Sequence, residues 1–221
     1  ERVSLSSTET IAGRAPALKR LKATKVNVVL FVLVVILVGL LPWILPNRFY
    51  VRLVNEIMIY GLLAMSLDVL LGYTGLLSFM HNTYLGIGAY GTGLLLMYVC
   101  PGSIWMAILG GVVITMALSV PVGWVQVRTG GLAFALLTVA FGMMFYTVAW
   151  KWYSLTGGDD GLMGVPQPQI TFLGLPVASA GDPHAIYYFT MALVLGLFAV
   201  TWRIIHSPLG AVLEAIRENE E

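Results

Sequence analysis

Charge is what this sequence has least of. Asp, Glu, Lys and Arg make up 10% of its 221 residues, against about 25% in a typical soluble domain. From Val69 to Val127 there is none, over 59 residues. Apolar residues make up 58% and mean hydropathy is +0.87, which places the chain in the membrane class. Cysteine is scarce as well. Cys100 stands alone, which excludes an intramolecular disulfide framework and a Cys-based metal site. A net charge of +1 offers no bulk field for nucleic acid. No Gly-x-x-x-x-Gly-Lys-[Ser/Thr] loop occurs, so the chain is no ATPase by that route.

What is present is a series of apolar runs separated by short breaks. The pattern predicts an all-α, polytopic membrane protein with about six transmembrane helices. Residues 1–25 hold Arg14, Lys19, Arg20, Lys22 and Lys25 and are expected to form a poorly ordered cytoplasmic basic arm. No signal-peptide plan is visible there, since the first apolar run is too long for a signal core and no A-x-A site follows it.

Spans are expected at about 26–47, 53–71, 76–99, 104–127, 132–150 and 185–202. The first covers roughly 30 Å at 1.5 Å per residue, the thickness of a bilayer core. Gly72-Tyr-Thr-Gly75, Cys100-Pro-Gly-Ser103 and Arg128-Thr-Gly-Gly131 are the breaks inside the long apolar region. Residues 154–183, rich in Gly, Pro and Asp, form an outer loop behind an aromatic belt of Trp150, Trp152 and Tyr153. Residues 26–204 are the membrane domain and 205–221 a cytoplasmic segment. Basic residues orient the chain: with the arm inside, Arg128 and Arg203 also fall inside, while Arg48, Arg52 and Lys151 fall outside.

Asp68 to Gly93 is the stretch around which the other spans are organised. It carries Asp68, Tyr73, His81, Asn82, Tyr84 and Tyr90, polar side chains that must sit at membrane depth, and these are the candidates for a substrate pathway. Gly86, Gly88, Gly91 and Gly93 allow neighbouring helices to approach closely, and the same glycines are able to line a narrow pore with backbone. For Asp68 a plainer reading is a capped carboxylate at the membrane interface. For His81 the plainer reading is a hydrogen-bonded packing residue, and no second ligand at i+4 supports a metal. No nucleophile–base pair or carboxylate dyad suggests catalysis, so no catalytic residue is assigned and the chain is expected to be a transport component rather than an enzyme.

The tail is the most informative short segment. Ser207 suits a helix cap and Pro208 its first turn. Leu209, Val212, Leu213 and Ile216 then recur at helical spacing. The acidic balance of Glu214, Glu218 and Glu220 disfavours an anionic lipid surface and favours a protein groove.

SPLGAVLEAIRENE resembles the cytoplasmic coupling segment of the LivM-type branched-chain amino acid permeases of ABC importers. SLDVLLGYTGLLSFMHNTYLGIGAYG, RTGGLAFALLTVAFG and SLTGGDDGLMGVP resemble the same family in the same order, together over roughly residues 55–221. The chain departs from the pattern at Met80-His81-Asn82-Thr83, where relatives often carry Gly-His followed by small or apolar residues.

The resemblance implies a bacterial inner-membrane permease subunit importing a branched-chain or related amino acid. ATP and Mg would be held by two ATP-binding subunits, and no cofactor by this chain. A second permease subunit and a solute-binding protein are the other implied partners. Ser207, Pro208, Gly210, Leu213, Glu214, Ala215, Arg217 and Glu218 would couple to the ATP-binding subunit. Asp159 and Asp160 would meet the binding protein. Relatives usually continue beyond the coupling segment, so an incomplete permease is expected. A secondary transporter or channel for a small polar solute such as urea, working without an ATPase, is the other reading.

Overall fold

The computed structural model describes the backbone of residues 17–45, 47–172, 175–179 and 181–219. The expected basic arm up to residue 16 lies outside them. The chain divides into two units, Glu1–Ile44 and Leu45–Glu221. The described part of the first unit is one helix, α1 (Ala17–Ile44), whose Val29–Ile44 portion is apolar.

The second unit holds α2 (Arg48–Asp68), α3 (His81–Tyr98), α4 (Ile104–Gln126), α5 (Gly131–Lys151), the short α6 (Tyr153–Thr156), α7 (Pro183–Ile205) and α8 (Pro208–Asn219). The all-α, polytopic class holds. Among the described residues, Arg48–Tyr73, Ile104–Gln126, Gly131–Lys151 and Pro183–Ile205 are long and apolar enough to cross a membrane. Large apolar side chains such as Leu109, Val113, Leu132 and Leu136 are exposed, as hydrocarbon-facing positions must be.

Helix starts follow local chemistry. Asn47 Oδ1 accepts from the Phe49 N–H, Ser103 Oγ from Met106 and Asp182 Oδ1 from His184, so each cap meets one orphan donor of a first turn. Pro183 follows its cap directly, where a missing N–H costs nothing.

Residues 17–25, expected in the basic arm, form the start of α1, and two segments of the second unit also differ from the expectation. The third helix begins at His81, not near residue 76. Helix α2 instead widens into a π-turn over Val69–Tyr73, and Gly75 turns the chain with φ +74°, a conformation that suits glycine. Residues 75–80 are non-helical. The outer loop also holds an antiparallel hairpin, β1 (Gln169–Phe172) paired with β2 (Leu175–Ser179), its register shifted between Ile170 and Thr171. The Trp105 indole N–H donates to the Thr171 carbonyl. Its ring meets Phe189 edge-on at 5.4 Å, so one side chain on α4 ties the hairpin and α7 together.

Helices α3 and α4 pack closely as a hairpin, and α7 lies against α2. Tyr187 on α7 is fully buried.

Candidate functional site

The polar residues of Asp68–Gly93 are divided between an elbow and a helix. At the elbow, the Thr74 N–H donates to the carbonyls of Leu70 and Leu71, and the Gly75 N–H to Leu71 at 3.1 Å. The Thr74 hydroxyl also donates to Leu70. Gly72 offers the next carbonyl, and Arg217 Nη1 of α8 donates to it at 2.9 Å. Asp68 is exposed one turn earlier, its Oδ1 3.5 Å from where a Gly72 Cβ would stand.

Beyond Gly75 the chain is pinned to two other helices. The Phe79 N–H donates to Thr138 Oγ1 at 3.1 Å, and that hydroxyl donates to the Ala135 carbonyl at 2.7 Å. Thr138 is fully buried. Met80 is also fully buried, with Gln126 Nε2 3.3 Å from its sulfur. A non-helical segment at membrane depth must satisfy its backbone somewhere, and here side chains of α4 and α5 hold it. Thr138 lies in the apolar stretch RTGGLAFALLTVAFG, where nothing in the residue pattern separates it from a spanning threonine.

Helix α3 has a cavity on either side. One, of about 850 Å³, is lined by α2, α3, α4, α7 and the outer loop, with Tyr84, Gly88, Thr92, Thr115, Leu162 and Leu193 among its walls. The other, of about 660 Å³, lies between α3, α4 and α5. Asn82, Thr83, Tyr98, Tyr146, Trp152 and Thr156 bring polar groups to it. Tyr90 lines both. The structure therefore brings Asn82, Tyr84 and Tyr90 to cavity walls and leaves Asp68, Tyr73 and His81 off them. His81 meets Tyr84 edge-on at 6.5 Å, and its Nδ1 is buried with no hydrogen-bond partner among the described residues. Among the described residues no three His, Cys, Asp or Glu side chains are grouped to hold a metal.

The glycines of α3 play unequal parts. A Cβ on Gly91 would stand 3.5 Å from Gly111 Cα and 3.4 Å from Ile114. One on Gly88 would stand 3.3 Å from Thr115 Oγ1, and one on Gly93 3.0 Å from Leu162. Gly86 meets nothing and lines the smaller cavity. Gly111, facing them from α4, is tighter than any of these: a Cβ there would overlap Thr92 Oγ1 and stand 3.1 Å from the Gly88 carbonyl. It lies outside the stretch singled out from the sequence.

Thr156 is one of the residues lining the smaller cavity. Its hydroxyl lies between the carbonyls of Ala149 and Trp152 and accepts from the Gly158 N–H at 3.2 Å. Asp159 and Asp160 are exposed, with the Tyr153 hydroxyl 3.4 Å from Asp160. They stand apart from the cavity walls.

Helix α8 leaves α7 through a tight bend. Ser207 Oγ donates to the Ile204 carbonyl and accepts from the Leu209 N–H. His206 stacks on Trp202 at 4.2 Å. A Cβ on Gly210 would overlap the Ile205 carbonyl, so glycine is what the bend admits. Along α8, Gly210 is buried, Leu213 half-buried and Arg217 engaged with Gly72, whereas Leu209, Val212 and Ile216 are exposed. Ser207 is half-buried and Pro208 and Ala215 are exposed, while the Glu214 and Glu218 side chains lie outside the described ones.

Comparison with known proteins gives a consistent result. The family described as the permease component of branched-chain amino acid transport systems matches residues 49–221. The high-affinity branched-chain amino acid transport system permease protein LivM of Salmonella typhimurium is 26% identical over 231 residues, covering 95% of this chain and 53% of that protein. LivM of Escherichia coli is 28% identical over 234 residues, covering 96% of this chain and 54% of that protein. The chain spans about half the length of these relatives. No solved structure matches it.

Proposed function

The chain belongs to the permease-component family of branched-chain amino acid transport systems, and on that footing we propose that it is a membrane-spanning subunit of an ABC importer. Its cargo is a branched-chain or related amino acid. ATP and Mg are bound by two partner subunits. A second permease completes the pathway, and a solute-binding protein delivers cargo at the outer loop near Asp159 and Asp160.

The observation that carries this reading is the exposed stripe of Leu209, Val212 and Ile216 on α8. An amphipathic helix that keeps its apolar face open immediately after a membrane helix suits a protein groove. In the proposed orientation the N-terminus and α8 are cytoplasmic. Closure of the ATP-binding subunits then moves α8, and the cavities beside α3 exchange outward for inward access. ATP drives this only through contacts that differ between the two states. Asn82, Tyr84 and Tyr90 would meet the polar end of the solute, and the apolar walls its side chain.

The test is uptake of radiolabelled leucine, isoleucine and valine by liposomes holding the full transporter. Expected is accumulation that stops when ATP is removed with the ion gradient clamped. Flux that persists under those conditions marks a secondary transporter or channel and overturns the importer reading.

A further inference from the structure

We infer that Arg217 is an internal clasp, which delivers movement of α8 to the elbow between α2 and α3 and does not itself hold a partner subunit. The inference rests on the importer reading for what moves α8, and on the geometry for where the movement goes.

Helix α8 has two adjacent stripes. Leu209, Val212 and Ile216, spaced i, i+3 and i+7, are exposed. Gly210, Leu213 and Arg217 have the same spacing one residue on: Gly210 is buried, Leu213 half-buried, and Arg217, though exposed, reaches back to Gly72 with one guanidinium nitrogen. Residues spaced this way share a helix face, so one stripe is open to a partner and the other is occupied.

The occupied stripe ends on a carbonyl to which, among the described residues, no backbone N–H of its own segment donates. The Leu70 and Leu71 carbonyls are taken by Thr74 and Gly75, and the Gly72 carbonyl is taken by a guanidinium 145 positions away. A cation at a helix C-terminus is favourable there. The Arg217 stem crosses the bend itself, its Cγ standing 3.4 Å from the Cβ position of Gly75. Past that bend, Phe79 and Met80 are held by Thr138 of α5 and Gln126 of α4. A pull on Gly72 therefore reaches α3, α4 and α5, the helices around the smaller cavity. The π-turn is the compliant piece in this path, because its backbone already departs from the α ladder.

The experiment uses the transporter purified with its partner subunits, comparing wild type with Arg217→Ala, Arg217→Lys and, as a distant control, Arg128→Ala. Hydrogen exchange is followed at residues 70–80. Expected for Arg217→Ala is exchange at Thr74 and Gly75 faster by about tenfold, partial recovery with lysine and no change in the control. Uptake should fall by about tenfold while capture of ATP-binding subunits stays near the wild-type level. Unchanged exchange at the elbow overturns the clasp, and so does capture that falls in step with uptake. If wild-type chain captures no ATP-binding subunit, the importer reading fails and the exchange result alone decides the clasp.

Discussion

Gly91 and Gly111 meet where α3 crosses α4, a Cβ on the first standing 3.5 Å from the Cα of the second. Small residues at such a crossing let two backbones come within van der Waals range, which is how membrane helices gain contact energy in a solvent as apolar as themselves. The two cavities lie on either side of α3, so their shapes depend on this crossing.

Gly111→Leu should therefore be among the most damaging single changes in the hairpin. Overpacking a site this close costs about 1–3 kcal/mol, and the Gly88 carbonyl facing it belongs to a helix backbone. The expected outcome is a lower melting temperature in detergent and reduced uptake. Gly86→Ala, with open space beside it, should leave melting unchanged. Equal stability of the two variants would dispose of the crossing as a structural determinant.

Thr138→Val keeps the shape of a fully buried side chain and removes the acceptor of the Phe79 N–H. The bond is part-buried, so the donor left unpaired costs about 1 kcal/mol, the lower end for a buried group. Thr138→Ser should recover most of the loss, since the hydroxyl returns. Thermal unfolding of the three proteins in one detergent measures the series, and a serine variant as weak as valine would point to packing instead.

Trp105→Phe retains an aromatic ring near Phe189 and deletes the donor to Thr171. A net hydrogen bond is worth about 0.5–1.5 kcal/mol, so the hairpin at residues 169–179 should open about two- to tenfold more often. Limited proteolysis of that segment reads the change directly. Cleavage at the wild-type rate would mean that the indole does not restrain the strands.

Tyr90→Phe and Asn82→Ala each remove a polar group from a cavity wall. If these walls form the solute path, uptake should weaken about two- to tenfold for each, the value of one hydrogen bond, with membrane abundance unchanged. Asp68→Asn, off both cavities, should change uptake by about twofold or less. A larger effect at Asp68 than at Tyr90 would move the path away from α3.

The membrane class was legible from charge alone, because burying Asp, Glu, Lys or Arg in hydrocarbon is costly and the chain avoids them over 59 residues. Family membership was legible because four ordered motifs survive as local strings. What escaped sequence reasoning was long in range or subtle in geometry. The π-turn at Val69–Tyr73 differs from an α-helix by one residue per turn, which composition does not encode. Gly111 resembled any glycine in a spanning helix until Thr92 and Gly88 were seen to press on it. Arg217 was expected to couple to an ATP-binding subunit, and its acceptor within this chain, 145 residues away, leaves no trace in the local pattern. Strands β1 and β2 were obscured by the Gly, Pro and Asp around them, and four or five residues are too few to display a clear alternation.

A π-turn is an α-helix carrying one surplus residue. Each α-helical residue turns the chain by about 100°, so the surplus decides which flank of α2 is presented to α7. Deleting a single residue from 69–73 would let an unbroken helix run to Tyr73. All of α2, Arg48–Asp68, would then have to spin by about a quarter turn or give up its partner, and the phase between those two helices is in this sense counted out in residues.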